Sequence, residues 1–316
     1  GTCVAGLAAA SGYNAIGGVG VAPKATLASW VILGASRNIT DAELAELYLR
    51  EPSALRIQNH SWGETERMLP LPPIVKDALE AAAYHAVGGL GIVMVRPSGN
   101  ERSVAGGASD FGDSNNEAFN NWNAIVVGAV DSHAKYASYS SPGANLLVAA
   151  PGGSAEDDLP LFMTDFTGER GYNYANYFPP MEDFNNYATG QMAQGTSLSC
   201  PLVSGLCALI LAANPELTHR DVRHILVQSA QYLDIGDPDT LMNGAGFPVS
   251  HNAGYGIPHA GYAVTLAQNW TRLPEASTLQ YTANLQEGLL IPEEGYTLSL
   301  SGDTLPTPIQ IPMTIS

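Results

Sequence analysis

GLGIVMVRPSGN, residues 89–100, carries an apolar run that does not alternate with polar residues and ends in a polar Pro-Ser-Gly-Asn loop. An apolar run of this kind marks a strand buried on both faces. Four other stretches read alike: ATLASWVIL (25–33), ALRIQNHSWG (54–63, a strand entering a loop), AIVVGAV (124–130) and ANLLVAAPG (144–152). Helical patterns punctuate them. Residues 1–11 form a helix of small apolar residues. TDAELAELYLR (40–50) has a Thr N-cap and a helical period, and an Ala-rich helix covers 73–88. A long helix covers 197–214. Residues 217–230 begin with Thr218 and carry Asp221 three residues on, a capping-box start. A last helix covers about 259–268. Buried strands alternating with helices predict an α/β fold in three layers, a mostly parallel sheet between helices. In such sheets the working residues gather beyond the carboxyl ends of the strands. NHSWG and PSGN both belong at that edge.

After Trp270 the pattern changes to short alternating runs broken by Pro and Gly. That predicts a division into 1–272 and a β-rich unit over 273–316, too short to complete a sandwich.

Composition narrows the class. Hydrophobic residues make up 45% and charged residues 14%, with 33 Gly and 21 Pro, which fits a loop-rich globular chain. Thirteen Lys and Arg against 30 Asp and Glu give a net charge of −17, which argues against nucleic acid as a partner. Three cysteines, Cys3, Cys200 and Cys207, do not make a disulfide framework, and the last two read as core thiols. No apolar stretch long enough to span a membrane, no signal peptide and no metal-type CxxC or HxxxH cluster is apparent.

QGTSLSCPLVSG (194–205) places Ser197 in a small-residue turn before an apolar helix. Free N–H groups at a helix start favour developing negative charge. By itself Ser197 reads first as a helix cap, and Asn100 first as a turn asparagine, although an amide in that loop can donate to an oxyanion. His60, beside Ser61 and Trp62, is the one histidine placed to act as a base, with no evident carboxylate to orient it. His219 and His224 lie on a charged helix face and read as surface. GGVGVA lacks the GxGxxG spacing and a preceding strand, so a dinucleotide site is discounted. The absence of GxSxG at Ser197 disfavours an esterase of another fold.

Together these stretches resemble one family. GTSLSCPLVSG resembles the serine motif of subtilisin-like serine proteases, GTCVAGLAAA the segment directly after their catalytic histidine, and PSGN their oxyanion-hole segment. NHSWG, VVGAVDSHAKYASYSSPGANLLVAAPGG, LTHRDVRHILV and YGIPHAGYAVTLAQNW resemble the kexin/furin-like branch. The resemblance implies a subtilisin fold and a secreted (extracellular or periplasmic) endopeptidase of polypeptide substrates, made with a pro-region. Ser197 would be the nucleophile, and Asn100 with the Ser197 N–H would hold the oxyanion. Ser61, Trp62, Gly63, Pro97, Ser98 and Gly99 would line the substrate cleft. It also implies a structural calcium ion on Ser11, Asn14, Ile16 and Gly18, through the Asn14 side chain and backbone carbonyls, and a P domain after Trp270.

Several positions depart from the pattern. The catalytic histidine is expected immediately before Gly1 and the aspartate further upstream, so the chain reads as a fragment of a longer protease. A binding protein that keeps the cleft is the alternative. Asn116 stands where the furin-like pattern has a pocket aspartate, which puts dibasic specificity in question. Ser141 stands where that branch has an acid for a second calcium site. Cys3 falls three residues after the expected histidine, close enough for a mercurial at Cys3 to inhibit.

Overall fold

Val93–Pro97 is a strand with every residue buried, Arg96 included, and so is the wholly apolar Ala124–Val130, as strands covered on both faces require. In the computed structural model, residues 1–32, 39–63, 70–102, 121–154, 161–167, 194–232, 234 and 236–275 are described in full; of 184–185, 296–300 and 309–313 the backbone is described. Four strands, β1 (Ile57–Asn59), β2 (Val93–Pro97), β3 (Ala124–Val130) and β4 (Leu146–Pro151), form one sheet in the order β1-β2-β3-β4. All three pairings are parallel: Ile57 lies beside Val93, Val95 beside Ile125 and Val127 beside Val148.

The two faces of the sheet meet different helices. Val93, Val95, Ile125, Val127 and Val148 pack with α4 (Thr196–Ala213), α5 (His219–Ser229) and α6 (Ala260–Gln268). Ile92 and Met94 face the other way, onto α2 (Asp41–Tyr48) and α3 (Pro73–Tyr84). Alternate residues of one strand thus feed two cores, and the expected three layers are present. α1 (Thr2–Ala9) lies against α4, where Gly205 permits the approach. A Cβ there would stand 2.9 Å from the Ala8 carbonyl oxygen.

The helix starts follow from local chemistry. Thr40 caps α2 and Thr218 caps α5, each in a full capping box, with Glu43 and Asp221 bonding back to the cap N–H. Such caps are worth about 1 kcal/mol each.

Three expectations are corrected. Residues 25–32 are not a strand; Leu27 is 54% and Val31 80% exposed. Among the described residues no strand pairs with them, and β-propensity without a neighbour does not make a ladder. His219 is buried, not on the surface, because its N–H donates to the Leu90 carbonyl and its ring stands edge-on to Tyr84. An 18-residue apolar helix does exist: α4 is long and apolar enough to cross a membrane by length and composition. It is mostly buried within the protein as its central core helix.

The chain separates into Gly1–Leu273 and Pro274–Ser316. In the second unit, Tyr296–Leu300 pairs antiparallel with Ile309–Met313.

Candidate active site

The N-terminus of α4 meets the carboxyl ends of β1 and β2. Gly195 precedes the helix at φ 139°, a conformation that L side chains rarely adopt, and its N–H is held by the Gly152 carbonyl and the Tyr139 hydroxyl. Thr196 follows, fully buried. Its backbone N–H donates to Asn100 Oδ1 at 2.9 Å, and its hydroxyl lies 3.1 Å from the same oxygen. A backbone N–H can only donate, so the Asn100 atom facing Thr196 is the oxygen. The Asn100 Nδ2 group is therefore turned away from Thr196, available as a donor. The next residue is the half-buried Ser197, whose own N–H is in the helix's unsatisfied first turn.

Pro201 determines what holds Ser197. A residue at position 201 would normally donate its N–H to the Ser197 carbonyl, but proline has none. The Ser61 hydroxyl donates to that carbonyl instead, at 2.8 Å. Ser61 is held in turn by Asn59, whose Nδ2 donates to Ser61 Oγ at 2.9 Å. Asn59 Oδ1 accepts from Ser204 Oγ at 2.8 Å and from Cys200 Sγ at 3.2 Å. A relay from α4 through β1 and back to α4 fixes the serine's backbone.

The second wall comes from β2. Ser98 donates its N–H to the Val127 carbonyl, and the Gly99 carbonyl accepts from the Ser141 N–H at 3.0 Å. Gly99 N–H also donates to Thr196 Oγ1 at 3.2 Å. Pro97, Ser98 and Gly99 are buried, while Asn100 is exposed. Trp62 stands edge-on to the His60 ring, with the Arg96 guanidinium 5.3 Å from its centre, and Gly63 is exposed. The fold thus brings Ser61, Gly99, Asn100 and Ser197 together. Asn116 lies outside the described residues.

His60 is not the serine's base. Asn59 and Ser61 face α4, whereas His60 faces the opposite layer, with its ring 5.1 Å from Tyr48 and its Nε2 on Gln58. Burial pushes its pKa down to about 4, so the ring is neutral at pH 7. Among the described residues no histidine hydrogen-bonds Ser197. Cys200 and Cys207 are fully buried, and burial raises both thiol pKa values, Cys200 to about 12.

In the loop over 11–18, Asn14 Oδ1 accepts from the Ile16 N–H at 3.1 Å. Tyr13, Ala15 and Gly17 have positive φ, which turns the chain at alternate residues. Ser11, Asn14 and Ile16 are exposed and Gly18 is partly so. The donors available are neutral oxygens, and among the described residues no cluster of three His, Cys, Asp or Glu could hold a metal. Oxygen donors fit a hard cation in kind.

Sequence reasoning missed Asn59 and Tyr139 as supports of the site. The readable signal was Pro201: a proline inside a helix orphans the carbonyl four residues back, and that carbonyl belongs to Ser197.

Known proteins extend this geometry. The subtilase family of peptidases matches residues 1–256. Mouse furin is 29% identical over 277 residues, covering 86% of this chain and 31% of furin. Proprotein convertase subtilisin/kexin type 5 of Branchiostoma californiense is 30% identical over 304 residues, covering 91% of this chain and 16% of that protein. The chain therefore spans a third or less of the length of these relatives. In fold, it resembles the crystal structure of the serine protease of Aeromonas sobria, with a TM-score of 0.77 at 24% identity, covering 95% of this chain and 59% of that one. Fervidolysin from Fervidobacterium pennivorans gives a TM-score of 0.62 at 24% identity over 83% of this chain and 35% of that one. The parallel sheet between helices, with Ser197 at the head of its central helix, is a subtilisin-like fold, and the chain belongs to the subtilase family.

Proposed function

We propose that this chain is the serine-bearing part of a serine endopeptidase that cleaves polypeptides by acyl transfer. The observation that carries this reading is the orientation of Asn100. Its Oδ1 is occupied by Thr196, so its Nδ2 is left to donate beside the N–H of Ser197. Two donors at a helix start can stabilise the oxyanion that forms when Ser197 Oγ attacks a peptide carbonyl. Ser197 would then carry the acyl group until water releases it. The base is a histidine that the family resemblance puts immediately before Gly1, oriented by an aspartate further upstream. Extended substrate would lie between Ser61–Gly63 and Pro97–Gly99.

By the same resemblance the protein is secreted, carries a pro-region, and continues into a P domain beyond Trp270. A calcium ion would sit on Asn14 Oδ1 and the carbonyls of Ser11, Ile16 and Gly18, and would stiffen that loop. Neutral ligands alone hold such an ion weakly, so a carboxylate from elsewhere in the protein is part of this reading.

A fluorophosphonate probe on the full-length protein tests the proposal. Ser197 labels and Ser197→Ala does not. Full-length protein that stays unlabelled would instead be a binding protein with a peptide cleft.

A further inference from the structure

We propose that Arg102, Asn252 and Asp237 form a clamp that positions the oxyanion asparagine from outside the catalytic centre. The proposal rests on the endopeptidase reading for its effect on rate, while the clamp itself can be tested without it.

Arg102 lies two residues beyond Asn100. Its Nε donates to the Ser140 carbonyl at 2.6 Å, and one terminal nitrogen donates to Asn252 Oδ1 at 2.6 Å, 150 residues further along the chain. The guanidinium also lies over the Tyr136 ring at 4.5 Å. Asn252 is buried, and its Nδ2 donates to the Asp237 carboxylate, at 3.0 and 3.1 Å from the two oxygens. Asp237 is buried too, and accepts further from the Tyr232 hydroxyl at 2.8 Å and the Asp239 N–H at 3.0 Å. The rigid planar fork of Arg102 sets direction as well as distance.

The ties on the inner side of the loop are short-range by comparison. Glu101 accepts from the Asn100 N–H at 2.7 Å and from the Ser141 hydroxyl at 3.1 Å, and both partners belong to the active edge. Arg102 couples that edge to the 232–252 segment; among the described residues no hydrogen bond runs directly from that segment to Asn100 or Ser197. Arg102, Asn252 and Asp237 are positioning residues; none of them is placed against substrate. An oxyanion donor works only when held in place before charge develops, and a misplacement of about 1 Å costs on the order of a hundredfold in rate.

Two measurements on Arg102→Met, Asn252→Leu and Arg102→Lys test the clamp. Lysine keeps charge and bulk but loses the fork, so it serves if the other variants fail to fold. First, hydrogen exchange over 97–101 is compared with exchange in α5. The clamp predicts acceleration at 97–101 by about tenfold or more, with α5 unchanged in a still-folded protein. Unchanged exchange at 97–101 would overturn it. Second, peptide hydrolysis by the full-length variants should show kcat reduced by about ten- to a hundredfold, with KM within about twofold. A change carried by KM alone would overturn the positioning role. A wild-type full-length protein that cleaves nothing refutes the endopeptidase reading, and hydrogen exchange then decides the clamp by itself.

Discussion

Substituting Ser61→Ala removes the donor that Pro201 makes necessary. The Ser197 carbonyl sits in a part-buried site, its helical partner is a proline, and Ser61 Oγ is its donor at 2.8 Å. Leaving a buried acceptor unsatisfied costs about 1–3 kcal/mol. Asn59 Nδ2 loses its acceptor in the same step, so ~2 kcal/mol is the expected loss in urea unfolding. The decisive comparison repeats the substitution in a Pro201→Ala background. An alanine at that position supplies an N–H that can reach the Ser197 carbonyl in the ordinary helical pattern. There the cost of Ser61→Ala should fall below about 1 kcal/mol, a coupling of the size found between groups sharing one network. If Ser61→Ala costs the same with alanine as with proline at 201, the carbonyl has another donor and the reasoning fails.

Acid should destabilise the fold through His60 and His219. Burial holds both pKa values near 4, aided at His219 by Arg223 and Arg220. An unfolded histidine titrates near 6.5, so between about 6.5 and 4 the unfolded chain binds more protons. The stability from each neutral ring is present above pH 6.5 and is lost as pH falls, by ~3 kcal/mol per histidine once both states are protonated. Urea unfolding at pH 7 and pH 4.5 should show the drop, and His219→Gln should shrink it; a drop of equal size in that variant would count against His219. Native thiol labelling at pH 7 should leave Cys200 and Cys207 unmodified. Cys3, half-buried and pushed up by burial and by Asp165, should react slowly, and rapid loss of more than one thiol would contradict the burial described. Gly195→Ala should cost about 1–3 kcal/mol from its φ of 139°, read by thermal unfolding, and an unchanged midpoint would mean the turn can relax.

Local chemistry was legible and non-local chemistry was not. The N-cap at Thr40 and the capping box at Thr218 are written within three residues and both occur as read, and Thr40 proves to head a full box with Glu43 as well. β2, β3 and β4 declare themselves because a strand buried on both faces has no polar period to mislead the eye. Residues 25–32 have the same composition, yet a strand also needs a neighbour, which composition does not supply. His219 lies in a charged stretch, and its burial comes from Tyr84 and Leu90, far away in sequence. Asn100 reads as a turn residue until Thr196 is seen to take its oxygen. The resemblance pointed to Ser197 and Asn100, but the supports at Asn59, Tyr139 and Pro201 needed coordinates.

The proline in the central helix also bears on the order in which the surroundings of Ser197 take shape. An ordinary helix start closes through contacts a few residues apart and can form early. The first turn of α4 instead draws its partners from Ser61, 136 residues away, and from Asn100, 96 residues before Thr196. Contacts that close such long loops come late in folding, after the segments between have found their places. A nascent chain therefore carries Ser197 without these partners, and its surroundings reach the arrangement described only when the sheet is already complete.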